Sequence, residues 1–246
     1  MSPLTITYGL LFYVAAAVFV VGLARKLRCY AKTPAPLKIP TTPAPLTAAG
    51  VGWRVAREVV FFESLFKSSK WTWILGWTLH AALLLAFFRH LRYVQQPVWS
   101  AVALLQPVGT YAGFALVAAL AGLWARRFLV DRVRYISTPS DHLMLALLLA
   151  IACSGLAMRF VAHTDVVALK VFVLGLLRLD LQPLPSDPAL LAHLALAALL
   201  MVIFPISKLL HAPGLFFSPT RNQADTARES RHVSSWATAL EQRHNP

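Results

Sequence analysis

Residues 71–94 read WTWILGWTLHAALLLAFFRHLRYV, an apolar run that sets two histidines, His80 and His90, among leucines, alanines and aromatic rings. About 20 apolar residues carry an α-helix through the roughly 30 Å hydrocarbon core of a bilayer. The stretch is therefore a membrane span. Ionisable side chains at that depth are costly to place, so the two imidazoles are the first candidates for chemistry. A second run, PALLAHLALAALLMVIFPISKLLH over 188–211, repeats the theme with His193 and His211.

Working outward, five segments have the length and character of a span, at about 4–24, 71–91, 108–125, 143–162 and 188–211. The predicted fold is all-α, an integral membrane bundle of five transmembrane helices. A sixth apolar stretch, 166–177, is too short to cross and is interrupted by Lys170, so it reads as an interfacial or surface helix. The chain has 246 residues, 58% hydrophobic and only 13% charged, with mean hydropathy +0.62, more apolar surface than a soluble domain hides. Its net charge of +13 does not point to nucleic acid, because the basic residues sit in short clusters between the apolar runs. Cys29 and Cys153 lie far apart, without a CxxC pair or a CxxCH haem attachment.

With the N-terminus outside and the C-terminus inside, inner segments collect eighteen Lys and Arg residues and outer ones five. That imbalance obeys the positive-inside rule and sets the orientation. Met1 to Thr7 carry no basic side chain and no cleavage site follows Ala15–Ala17, so the first run is expected to stay as a helix. Residues 1–218 form the membrane domain, with an inner loop over 25–70. Within that loop, 32–47 has five prolines in 16 residues and predicts an extended linker, and 48–70 predicts a helix on the inner membrane surface. Residues 219–246 form a polar cytoplasmic tail, read as a docking strip for a partner or a frayed end.

Neutral imidazole is a good ligand for haem iron, and two opposed imidazoles fill both axial positions. Spans two and five run antiparallel, because their places in the chain differ by three. His80 then levels with His211 near the inner face, and His90 with His193 near the outer face. Along ideal helices the separations within each span are about 15 Å and about 27 Å. Eighteen residues are five whole turns, so a continuous span five puts His193 and His211 on one face, with Pro205 as a bend point. Ten residues fall about 80° short of three turns, which asks for some twist in span two. A proton-relay transporter also uses intramembrane histidines, but with acids that spans two, three and five lack. A passive membrane anchor without cofactor is the third reading.

The spacing H-x9-H in span two with H-x17-H in span five resembles the gamma (NarI-like) cytochrome b subunit of respiratory nitrate reductase. RRFLVDRVRYISTPSDHLMLALL (126–148) and FPISKLLHAPG (204–214) are similar to that family as well. Residues 71–94, and HAPGLFFSPTRNQ with RESRH in 211–232, look closer to its DsrM branch, the membrane subunits of dissimilatory sulfur-metabolism complexes. The resemblance covers spans two to five. It implies two haem b groups, one on His80 and His211 and one on His90 and His193, and electron exchange with menaquinone or ubiquinone in a bacterial cytoplasmic membrane. It also implies a cytoplasmic iron–sulfur partner resembling a heterodisulfide reductase subunit, periplasmic cytochrome c and iron–sulfur subunits, and a second membrane subunit. Nitrate reductase gamma subunits carry a quinone-binding lysine near the outer start of span three, where this chain reads QPVGTYAG (106–113). Arg89, beside His90, is the quinone-site candidate that remains. Arg126 and Arg127, at the inner end of span three, are candidates for the inner haem propionates, since guanidinium forks bind carboxylates bidentately.

Overall fold

The computed structural model describes residues 2–35, 37–226 and Leu240. Every regular element among the described residues is a helix. In chain order they are α1 (Pro3–Lys32), α2 (Ala48–Phe61), α3 (Glu63–Ser68), α4 (Lys70–His90), α5 (Ser100–Leu129), α6 (Asp131–Ile136), α7 (Pro139–Phe160), α8 (Val166–Leu177), α9 (Pro188–Ile203), α10 (His211–Gly214) and α11 (Pro219–Asn222). The helices α1, α4, α5, α7 and α9, with short 3₁₀ extensions at the ends of α4 and α9, are the five long and apolar enough to cross a membrane. They keep large apolar side chains outward, as at Leu10, Val14, Leu84 and Leu104, which a bilayer solvates. The protein is a multi-pass membrane protein.

The chain divides into two compact units. The first comprises Met1–Gly22 and Ser64–Ser207. Its close helix pairs are α4 with α5, α5 with α7, and α7 with α9, so these four form an open series with α4 and α9 at its two ends. The 166–177 stretch is a helix as expected, and it contributes to a buried apolar cluster. Leu169 and Phe172 of α8 are buried with Leu184, Leu190 and Leu194, and Tyr8 and Phe12 of α1 pack against them. In lipid, packing and hydrogen bonds rather than water expulsion join helices. Accordingly α1 docks through polar groups: Tyr8 donates to the Leu191 carbonyl at 3.0 Å and Tyr13 to the Leu176 carbonyl at 3.0 Å. The buried Thr5 hydroxyl accepts the Leu184 N–H at 3.1 Å.

The second unit comprises Leu23–Glu63 and Lys208–Pro246. The proline-rich stretch leaves carbonyls and amides without helical partners, and the residues around α11 supply them. Thr41 N–H donates to Thr220 O at 3.0 Å, Ile39 N–H to Gln223 Oε1 at 3.0 Å, and Asp225 N–H to Pro45 O at 2.9 Å. Arg221 pairs with Glu58 of α2 at 3.2 Å. Thus 219–226 packs on the loop of its own chain. Residues 227–239 and 241–246, which include the RESRH part of the predicted tail, lie outside the described residues.

One expectation needs correction. Residues 188–211 are not a continuous helix: α9 stops at Ile203, a 3₁₀ turn covers Phe204–Ile206, and Ser207 is extended. Pro205 has no N–H for the carbonyl four residues back and its ring crowds that turn, so the α-helical ladder ends there. The five-turn reckoning that put His193 and His211 on one face, and the separation of about 27 Å built on it, therefore fail. By contrast α4 runs unbroken, so His80 and His90 lie on rows about 80° apart.

Candidate functional site

His90 ends α4, and its ring faces that of His193 on α9 across the open side of the helix series. The two ring centres stand 6.3 Å apart with planes inclined by only 14°. They share a cavity of about 380 Å³ whose walls come from α4, α5, α7, α9 and the loop after α7. This volume lies within the usual range of cofactor sites, about 300–1,000 Å³. The lining is largely apolar, with Leu83, Leu120, Leu148 and Leu200 among it, and no Asp or Glu lines it among the described residues.

A ligating imidazole nitrogen sits about 2.0 Å from its metal, and the ring centre lies about 1.1 Å further back, so rings on opposite sides of one ion stand roughly 6 Å apart. His90 and His193 meet that spacing with near-parallel planes. Two imidazoles are an incomplete ligand set for a bare ion, and among the described residues no cluster of three or more His, Cys, Asp or Glu completes one. A macrocycle that brings its own equatorial donors does complete it, and an apolar cavity suits such a plate. The residues fit a haem.

The other ring nitrogens are fixed as a metal ligand's usually are. His90 Nδ1 donates to the Ala86 carbonyl at 2.6 Å, and because a carbonyl only accepts, the lone pair is left on Nε2. His80 Nδ1 likewise donates to the Gly76 carbonyl at 2.7 Å, and His211 Nδ1 to the Lys208 carbonyl at 2.9 Å. His193 differs: its Nδ1 lies 2.9 Å from the hydroxyl of Ser154, on α7. His80 belongs to the first unit and His211 to the second.

Glycines make the room. A Cβ at Gly155, one residue past Ser154, would lie 3.3 Å from His193 Cε1. A Cβ at Gly109 of α5 would lie 3.1 Å from the Arg89 Cβ and 3.2 Å from the Leu85 carbonyl, so α4 and α5 meet there. The end of α4 is also tied by Gln106, whose amide donates to the Arg89 carbonyl at 3.3 Å while Arg92 donates to its carbonyl oxygen at 3.3 Å. Arg89 lines the cavity, joined by Arg159 from the end of α7. Arg126 and Arg127 lie together near the end of α5. Arg127 already donates to Ser137 at 2.9 Å and stands 3.6 Å from the buried Asp141 carboxylate. Sequence reasoning singled out His90, His193 and Arg89 here but missed Ser154, Gly155 and Arg159. The one available signal was the Ser154–Gly155 pair, small and polar, inside an otherwise apolar span.

A family model described as nitrate reductase gamma subunit matches residues 64–224. The Hdr-like menaquinol oxidoreductase cytochrome b-like subunit of Archaeoglobus fulgidus is 35% identical over 272 residues, which covers 92% of this chain and 82% of that protein. The protein of the same name from Archaeoglobus profundus is 31% identical over 286 residues, covering 96% and 84%.

Proposed function

This chain belongs to the nitrate reductase gamma subunit family, and from that premise we propose that it is the dihaem cytochrome b subunit of a membrane oxidoreductase, transferring electrons between menaquinone and a cytoplasmic iron–sulfur partner. The observation that carries the reading is the pairing of the His90 and His193 rings, 6.3 Å apart and inclined by 14°, in an apolar cavity. His90 and His193 hold the outer haem; the assignment of His80 and His211 to an inner haem is supported by their place in the sequence and by the family. A haem held between two imidazoles would supply one-electron transfer and offer no open site to small molecules. The chain's own part is to bind and orient. Arg159 offers a cation to the outer propionates and Arg89 a donor to a quinone at the cavity rim. Arg126, with Arg127 shared with Asp141, is assigned to the inner propionates. The leucine-rich walls exclude water.

The relatives' name, with its menaquinol and its likeness to heterodisulfide reductase, supports menaquinone over ubiquinone and a partner resembling that reductase's iron–sulfur subunit. A place in dissimilatory sulfur metabolism, with periplasmic cytochrome c and iron–sulfur subunits and a second membrane subunit, rests on the DsrM-like stretches. The test is the visible spectrum of the intact complex. Reduced b-type bands and two haems per chain by pyridine haemochrome are expected. A colourless, fully assembled complex would overturn the reading and favour a histidine-based proton transporter or a plain anchor.

A further inference from the structure

We propose that Ser154 is a positioning residue for His193: its hydroxyl fixes the tautomer of that imidazole from a neighbouring helix and lowers the reduction potential of the haem assigned to it. This rests on the haem reading above. The hydroxyl donates to the Ile151 carbonyl of its own helix at 3.0 Å. A serine has one proton to give and the Ile151 carbonyl is also a partner of the imidazole, so we assign the 2.9 Å contact with Nδ1–H donating and Oγ accepting. The lone pair of His193 is thereby held on Nε2.

The arrangement is set apart by its origin. His90 donates to the Ala86 carbonyl four residues back, so its orientation is written into its own helical turn. His193 is oriented by α7 instead. The neighbouring Gly155 lets α7 come close enough, since even a methyl there would press on the imidazole carbon at 3.3 Å. The chain from Nδ1–H through the hydroxyl to the Ile151 carbonyl is a polarised relay in a low-dielectric wall, where successive hydrogen bonds strengthen one another. A donor bond from the far nitrogen raises the basicity of the ligating one. A more basic ligand favours ferric over ferrous iron, so the outer haem is held at a lower potential than the ring would give alone.

The test uses the full chain with its partners, and follows each haem by redox titration of its visible bands and by the low-spin ferric electron paramagnetic resonance signal. In Ser154→Ala the midpoint of the haem that disappears in His193→Ala should move upward and its ferric signal should shift, with the other haem unchanged. That haem should also be held more weakly, by roughly 10–100-fold. Ser154→Thr, which keeps the hydroxyl, should restore both readouts. Ser154→Cys, a weaker acceptor of similar shape, should move them in the same direction by less, and serves if the alanine variant does not assemble. Unchanged potentials and signals in the alanine and cysteine variants, or a shift of the haem that depends on His80, would overturn the proposal. A wild-type complex without haem would instead sink the functional reading itself, so the two failures are distinguishable.

Discussion

His90 and His193 present near-parallel rings 6.3 Å apart, and single substitutions read that pairing directly. His90→Ala and His193→Ala should each remove one and the same haem signal, while His80→Ala and His211→Ala remove the other. Loss of a common signal in His80→Ala and His193→Ala would refute the pairing. The glycines offer a graded comparison on the same wall. In Gly155→Ala the new methyl meets the His193 ring at 3.3 Å, so the expected result is a disturbed ferric signal and lower occupancy of that haem. In Gly113→Ala it meets the Leu156 side chain, Cδ2 at 2.7 Å and Cγ at 3.2 Å, and not an imidazole, so the spectrum should stay as in the wild type once that leucine turns aside. Overpacking of this kind costs about 1–3 kcal/mol where the neighbour is rigid. The histidines were legible because charge-capable side chains stand out in apolar runs. Ser154 and Arg159 were not, because what makes them matter is which helix they face.

Among the elements, α9 and its ends decide the most. Pro205 stops the helix, and α1 presses on the break so closely that a Cβ at Gly22 would fall 2.7 Å from the Pro205 Cβ. Pro205→Ala should let the α-helix run on past Ile203 and re-aim His211. The haem that depends on His211 should then be lost while the haem on His90 and His193 persists, as two-component spectra would show. At the other end Asp187 caps α9, accepting the Ala189 N–H at 2.9 Å and a bond from the Thr164 hydroxyl of the loop that lines the cavity. The Thr164 bond, aided by the Ala189 amide and opposed by burial, holds the Asp187 carboxyl below its ordinary range. A folded value below the unfolded one gives stability that is present above the ordinary carboxylate pKa and lost as pH falls through the depressed one. Thermal unfolding between about pH 6 and pH 3 should therefore show a loss that Asp187→Asn flattens. The span positions were readable from length and hydropathy alone. The break was marked in the sequence only as a bend, since proline fixes where a helix is weak but not whether the chain beyond resumes it.

For the whole molecule, the charge count predicts an orientation that reporter fusions measure: a C-terminal reporter should be active in the cytoplasm and an N-terminal one outside. The reverse result would move the site of His90 and His193 to the inner face and exchange the two haem assignments. The five spans, their order and the four histidines near them could be read from the sequence, because a bilayer admits only runs of about 20 apolar residues and penalises every imidazole placed within them. Tertiary structure alone decided that α4, α5, α7 and α9 pack in series, that Gly109 lets α5 meet α4 and Gly155 lets α7 approach the His193 ring, and that a serine of α7 lies against that ring. Those facts depend on which faces of different helices meet, and an apolar run facing lipid reads in sequence like one facing another helix. Hydropathy is a property of a segment; a cavity belongs to several at once.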